Sequence, residues 1–240
     1  MTWESITVGQ YQELYRLSLS TNIDEFETLE RTICILYNLS QNQVESLPVT
    51  KFRDYANSSL FLFKSDSIPG NPKSRIGKYK INFEVPDMTY GQYVSVQHFA
   101  SKPIDNMHYI LACIVSPLRF GFKLKNKAEH HLKYAEDLRN SRMIDVYHSC
   151  VYFLQNLQRF NKSYPGLFGM SGDEDDLEGN DIIETFNHRY GWIYSTKELA
   201  DFKGITLDEA FDTPLREAFN YLAYLKAKST HDREQIKCQR

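Results

Sequence analysis

A six-residue phrase that is typical of a helix start occurs twice in this chain, as ITVGQY and as MTYGQY. In the first copy we predict that Thr7 is the N-cap and that Gln10, three residues later, completes a capping box. In such a box each side chain accepts a hydrogen bond from the backbone N–H of the other residue. Thr89 and Gln92 hold the same two positions in the second copy, so the phrase predicts two helices that begin alike.

Each copy also places a glycine, Gly9 or Gly91, in the first helical turn. Alanine stabilises such a position better than glycine by up to about 1 kcal/mol, so the repeated glycine indicates close backbone packing. Each phrase is followed by an apolar helical stretch, TICILYNLS in one case and YILACIVSPL in the other. The pattern predicts an internal duplication, and the alternative is a coincidence between two similar helix starts.

The rest of the chain predicts a mainly α fold with a small β-hairpin. The segment KYKINFEV alternates polar and apolar residues, which indicates a half-buried strand over Lys78–Val85. Its partner across Gly77 is predicted at Lys73–Ile76, and we expect the hairpin to offer an unpaired edge. The predicted organisation is a first helical unit with the hairpin at 1–86, a second helical unit of the same globular domain at 87–160, an acidic mobile linker at 161–182 and a C-terminal helical segment at 183–240.

Composition narrows the class of protein. A hydrophobic fraction of 42% in 240 residues is enough for a real core, and a net charge of −3 is not the strongly basic balance of a nucleic-acid-binding protein. The four cysteines are far apart, with no C-x-x-C pair, which indicates a reduced intracellular protein. The start MTWESITV has no secretory pattern, and no apolar run reaches the roughly 18 residues of a membrane span.

Three features are candidates for partner contacts. The predicted hairpin is basic, and we expect its cations to meet an acidic partner. An acidic run follows at 173–176; we interpret it as a solvated linker, with a weak divalent-cation site as the alternative, because an EF-hand loop would need a glycine where Glu178 stands. Trp192, which follows Gly191, is either a core residue or a docking residue. The candidate contact residues are Lys73, Arg75, Lys78, Lys80, Asp173, Glu174, Asp175, Asp176 and Trp192.

No motif in the sequence predicts a catalytic, metal or cofactor site. The adjacent His130 and His131 point about 100° apart on a helix, so they do not share a metal ion. No nucleophile–base spacing or zinc signature is present. We therefore expect a protein that is not an enzyme; the alternative is a site assembled in three dimensions from residues that are distant in sequence.

The phrase ITVGQY, the stretch YILACIVSPL and the closing segment with PLREAFNYLAYLKAK together resemble a class of small helical proteins. These proteins are encoded among the neck and tail genes of tailed bacteriophages, and the crAss-like phages of the gut are the branch that the chain resembles. The shared features are T-x-G-Q-Y helix starts, a short hairpin between units and a helical end rich in Tyr and Leu. The resemblance covers most of the chain, but no single motif in it is diagnostic.

The resemblance implies a non-enzymatic role in virion assembly. It implies either a ring or adaptor protein of the virion neck or tail, or a tail-assembly chaperone that is absent from the mature virion. The implied partners are the portal and neighbouring neck or tail ring proteins, with assembly in the bacterial host cytoplasm and no membrane or sequence-specific nucleic acid. A homo-oligomeric ring joins two different faces of each subunit, and the basic hairpin and the acidic run are candidates for those faces.

Overall fold

The computed structural model describes residues 1–63, 68–126, 128–168 and 180–238. The described chain is mainly helical with a small four-stranded antiparallel sheet, which confirms the predicted fold class. The helices are α1 Val8–Ser18, α2 Glu25–Tyr37, α3 Gln41–Glu45, α4 Val49–Ser59, α5 Tyr90–Ala100, α6 Pro103–Ile114, α7 His131–Arg139, α8 Met143–Lys162, α9 Pro165–Phe168, α10 Asn180–Lys203, α11 Leu207–Phe211 and α12 Leu215–Cys238. The strands are β1 Arg75–Ile76, β2 Tyr79–Ile81, β3 Val115–Arg119 and β4 Phe122–Lys123.

The chain divides into two compact units, each made of separate stretches of sequence. The first unit contains Met1–Ile81 and Phe99–Tyr152, and the second contains Asn82–His98 and Phe153–Arg240. The predicted segments, in contrast, follow one another along the chain. Residues 169–179, which include half of the predicted linker and all of its acidic run, lie outside the described residues.

The hairpin is present, but the length predicted for its second strand is wrong. Its second strand, β2, covers three residues instead of eight, and Val85 begins a short 3-10 helix. One of the hairpin's two edges is paired, because β2 pairs with β3 in the register Ile81↔Val115, and β1 is the end strand of the sheet. The stretch YILACIVSPL, predicted to be helical, is helical only as far as Ile114, and its last four residues belong to β3.

Both copies of the repeated phrase form the predicted capping box. The hydroxyl of Thr7 accepts from the backbone N–H of Gln10 at 3.2 Å, and the Gln10 side chain accepts from the backbone N–H of Thr7 at 3.0 Å. The same two bonds join Thr89 and Gln92 at 3.2 and 2.9 Å. The local geometry of the two starts is therefore the same.

In the first unit the repeated start lies against the start of α8. The backbone N–H of Val8 donates to the carbonyl oxygen of Ser141 at 3.1 Å, and that of Met143 donates to Ile6 at 2.8 Å. Ile6, Val8 and Met143 are fully buried, so this junction belongs to the core of the unit.

The second unit repeats this junction with α12. The backbone N–H of Tyr90 donates to the carbonyl oxygen of Thr213 at 2.8 Å, and that of Leu215 donates to Met88 at 2.8 Å. Phe219, one turn into α12, packs edge-on against Tyr93 of the repeated phrase, and the two ring centroids are 4.9 Å apart. Each unit is therefore organised around one copy of the phrase and one later helix start.

Candidate partner-binding site

The sheet of the first unit has one buried face. Its strands lie in the order β1-β2-β3-β4, all antiparallel to their neighbours. Side chains alternate between the two faces of a strand, and directly paired residues share a face. The residues of the buried face are Ile76, Tyr79, Ile81 and Val115.

A polar contact fixes this sheet to α7. The hydroxyl of Tyr79 donates to Oδ2 of Asp137 at 2.5 Å, and Nζ of Lys78 lies 2.7 Å from the same oxygen. The hydrogen bond from Lys78, followed by that from Tyr79, lowers the pKa of Asp137. Burial, followed by the bond to this carboxylate, raises the pKa of Tyr79. Both shifts favour a charged carboxylate with a neutral phenol, which is the form that makes the contact.

The β3–β4 turn, which we call the tip, consists of Arg119, Phe120, Gly121 and Phe122. Arg119 pairs with Phe122, so the loop has two residues. Phe120 has φ +50° and Gly121 has φ +84°. Two successive positive φ angles are typical of a type I′ turn, whose usual sequence is Asn-Gly or Gly-Gly.

Phe120 is unfavourable at this position in two ways. A left-handed conformation costs a residue with a bulky side chain about 1–2 kcal/mol. Its ring is also 90% exposed, and Phe122 beside it is 76% exposed, so neither ring gains burial within the chain. The guanidinium of Arg119 lies 5.7 Å from the centroid of the Phe120 ring and leaves most of that ring in solvent. A strained and exposed aromatic residue indicates a functional contact, because neither folding nor turn formation favours it.

Positive charge is concentrated in the two sequence segments that build the sheet. The stretches KSRIGKYKI and VSPLRFGFKLK contain no carboxylate. The cations of these stretches are Lys73, Arg75, Lys78, Lys80, Arg119, Lys123 and Lys125. Within the part of the chain that the structure describes, Lys78 is the one of these that forms an ion pair with a carboxylate.

The structure brings the four predicted basic residues together on or next to β1 and β2. Arg75 and Lys80 are a directly paired and exposed couple. Lys78 is engaged within the chain by Asp137, and the backbone N–H of Lys73 donates to Oγ of Ser149 at 2.9 Å.

The other predicted contact residues are not in this unit. Trp192 belongs to the second unit, where it is 39% exposed and meets Tyr93 edge-on at 5.7 Å. Asp173, Glu174, Asp175 and Asp176 lie outside the described residues.

Sequence reasoning missed the tip. The segment YILACIVSPL was interpreted as one helix, so the following RFGFK was not recognised as a hairpin. The sequence feature that indicates this hairpin is Phe-Gly between residues that alternate in polarity, because glycine supplies the second positive φ of a two-residue turn.

The described residues contain neither a candidate membrane span nor a candidate metal site. Among them, no helix is both long enough and apolar enough to cross a membrane. Nor do the described histidines, cysteines and carboxylates form a group of three or more that could hold a metal ion.

Comparison of the chain with known protein families, with curated proteins and with solved structures finds no match in any of the three.

Proposed function

We propose that this protein is a non-enzymatic assembly protein that binds other proteins, with the tip as its docking element. The observation that carries the proposal is Phe120, which is held exposed in a strained backbone conformation. Aromatic residues that fill a pocket on a partner supply much of the binding energy of protein interfaces. The energy that the chain loses at this position would be regained when the ring is buried in a complex.

We propose the neck or tail of a tailed bacteriophage as the place of this assembly. The support is the resemblance of the repeated helix starts and of the Tyr- and Leu-rich C-terminal segment to that class of virion proteins. In this role the chain is a ring or adaptor subunit that contacts the portal and neighbouring ring proteins. The second candidate is a tail-assembly chaperone, which also needs an exposed apolar element to hold its client.

The proposal is tested first by the native mass of the purified protein, measured by light scattering over a range of concentrations. We expect a discrete oligomer that dissociates when Phe120→Asn removes the ring. Phe26→Asn is the matched control, since Phe26 is an exposed phenylalanine in α2, 61% exposed and distant in sequence from the tip. Equal dissociation by both variants would contradict a specific role for the tip.

If the purified protein is a monomer at every concentration, the proposal is tested by its binding to other proteins in the phage particle. Quantitative mass spectrometry of purified phage particles separates the two candidates, because a ring subunit is present in stoichiometric amounts and a chaperone is absent. In the same phage, Phe120→Asn should reduce particle yield and Phe26→Asn should not. If particle yield is unaffected by Phe120→Asn and the purified protein is monomeric, the assembly role of the tip is wrong.

A further inference from the structure

The outward face of the sheet, opposite the buried face, is a second surface with a different chemistry. The register places Arg75 opposite Lys80, and Lys80 opposite Ser116. Leu118, two residues after Ser116 and therefore on the same face, pairs with Lys123. The three cations Arg75, Lys80 and Lys123 thus share one face, which we call the cationic face, and all three are exposed.

The cationic face differs from the tip in its lack of an exposed apolar centre. The only apolar side chain that the register places among its members, Leu118, is partly buried. Protein–protein interfaces are usually built around an apolar core and are depleted in lysine. Interfaces with nucleic acid are more polar and much more positively charged. The composition of this face therefore fits a nucleic acid better than an acidic protein.

The dimensions also fit a phosphate backbone. Neighbouring strands lie about 4.8 Å apart, so the three gaps from β1 to β4 span about 14 Å. A nucleic-acid strand carries one phosphate for about every 3.4 Å of duplex axis, which gives roughly four phosphates over this width. None of the three cations is held by a carboxylate of the described chain. Nε of Arg75 donates to the carbonyl oxygen of Gly77 at 2.9 Å, so the terminal guanidinium nitrogens of Arg75 and the two lysine ammonium groups are available for a phosphate.

We propose that the cationic face binds the phosphodiester backbone of nucleic acid without reading its base sequence. The net charge of −3 does not oppose this, because it is a sum over the whole chain, whereas the two sheet segments contain cations and no carboxylate. Contacts to phosphate give affinity without sequence information, as lysine and arginine side chains do on other nucleic-acid-binding surfaces. The proposal goes beyond the proposed assembly role and does not depend on the tip.

The test is fluorescence anisotropy of the full chain with a labelled 20-nucleotide DNA of mixed sequence, as a single strand and as a duplex, at 50 to 200 mM NaCl. Three phosphate contacts predict that the logarithm of the binding constant falls against the logarithm of salt concentration with a slope of about −2 for the single strand and about −3 for the duplex. The triple variant Arg75→Gln, Lys80→Gln, Lys123→Gln should lose at least about tenfold in affinity at 50 mM salt and most of this slope.

A second triple variant controls for total charge. Lys51→Gln, Arg53→Gln and Lys226→Gln remove the same three charges from exposed positions elsewhere in the chain. This variant should keep the wild-type slope, and Phe120→Asn should keep it as well, which separates this proposal from the proposed function. Circular dichroism checks that both triple variants are folded.

Three outcomes would overturn the proposal. The first is no binding of either DNA at 50 mM salt. The second is an equal loss of affinity in both triple variants, which would show a general charge effect. The third is competition by poly-L-glutamate as strong as that by unlabelled DNA at equal charge, which would assign the face to an acidic protein.

Discussion

The hydroxyl of Tyr79 in β2 donates to the carboxylate of Asp137 in α7, and this bond, together with the ion pair from Lys78 to the same carboxylate, joins the sheet to the helix behind it. Tyr79 is buried by its packing on the ring of Tyr134, at a centroid distance of 5.2 Å. Strand β2 is therefore fixed on its inner side, and Lys80, the predicted contact residue that it carries, is exposed on its outer side.

We expect Tyr79→Phe to lower the free energy of unfolding by about 1 kcal/mol. The substitution keeps the ring packing and removes one hydrogen bond to a charged group, and the exposure of Asp137 lets water replace part of it. Urea denaturation monitored by circular dichroism measures the change. Tyr109→Phe is the control, since Tyr109 stacks on Phe99 at 4.9 Å through its ring; an equal loss in both variants would contradict the role of the hydroxyl bond.

A second prediction concerns the strained residue of the tip. Phe120→Asn should raise the free energy of unfolding by about 1 kcal/mol, because asparagine adopts positive φ more readily than phenylalanine and Asn-Gly is the preferred sequence of a type I′ turn. Phe122→Asn makes the same chemical change at a strand position and should not stabilise the chain. Thermal and urea unfolding of both variants measure this, and a destabilised Phe120→Asn would show that its ring contributes to folding.

The two repeated glycines predict different responses to alanine. A Cβ on Gly91 would lie 3.1 Å from Cβ and 3.2 Å from the carbonyl oxygen of Phe211, which are not the ends of a flexible side chain. A Cβ on Gly9 would lie 3.3 Å from Nε of Arg139, which can move away. Both substitutions gain up to about 1 kcal/mol of helix propensity, and only Gly91→Ala adds crowding, which typically costs about 1–3 kcal/mol.

We therefore expect Gly91→Ala to be less stable than Gly9→Ala by about 1–2 kcal/mol. Because the two glycines hold the same position in the same capped turn, each variant serves as the control for the other. Urea midpoints of the two purified proteins measure the difference. Equal midpoints would show that both junctions relax equally well.

A buried histidine predicts a loss of stability in mild acid. His108 is 6% exposed, and its Nδ1 lies 2.9 Å from the side-chain nitrogen of Gln12, which is also buried. Burial, followed by the charges of Arg139 and Arg16, lowers the pKa of His108 to about 4. The unfolded chain, in which the pKa is about 6.5, binds a proton that the folded chain does not bind between these two values.

The free energy of unfolding should therefore fall as the pH drops from 6.5 to 4, by up to about 3 kcal/mol from this residue alone. His108→Gln cannot titrate and keeps an acceptor for Gln12, so its stability should change less over the same range. Urea denaturation of both proteins at pH 4, 5, 6 and 7 isolates the histidine, since their carboxylates are the same. Parallel pH profiles would contradict the prediction.

Sequence alone determined the features that depend on neighbours within one helical turn. The predicted capping boxes at Thr7 and Thr89 are confirmed, because the bonds of each box join residues three apart. The mainly helical class with a hairpin across Gly77 was also predictable, because amphipathic period and turn chemistry are local properties.

Tertiary structure decided which strands pair with each other and which later residues each repeated helix start contacts. The stretch Val115–Leu118 follows the apolar end of α6, and so short a run does not by its pattern separate a helix from a strand; the backbone of β2 beside it makes it a strand. Tertiary structure also decided the partners of the repeated phrase. These partners, Ser141 and Thr213, are more than a hundred residues further along the chain than the copies that they contact. The cationic face exists because pairing across β1 to β4 aligns three cations that the sequence keeps apart, and the exposure of Phe120 follows from the turn that this pairing closes.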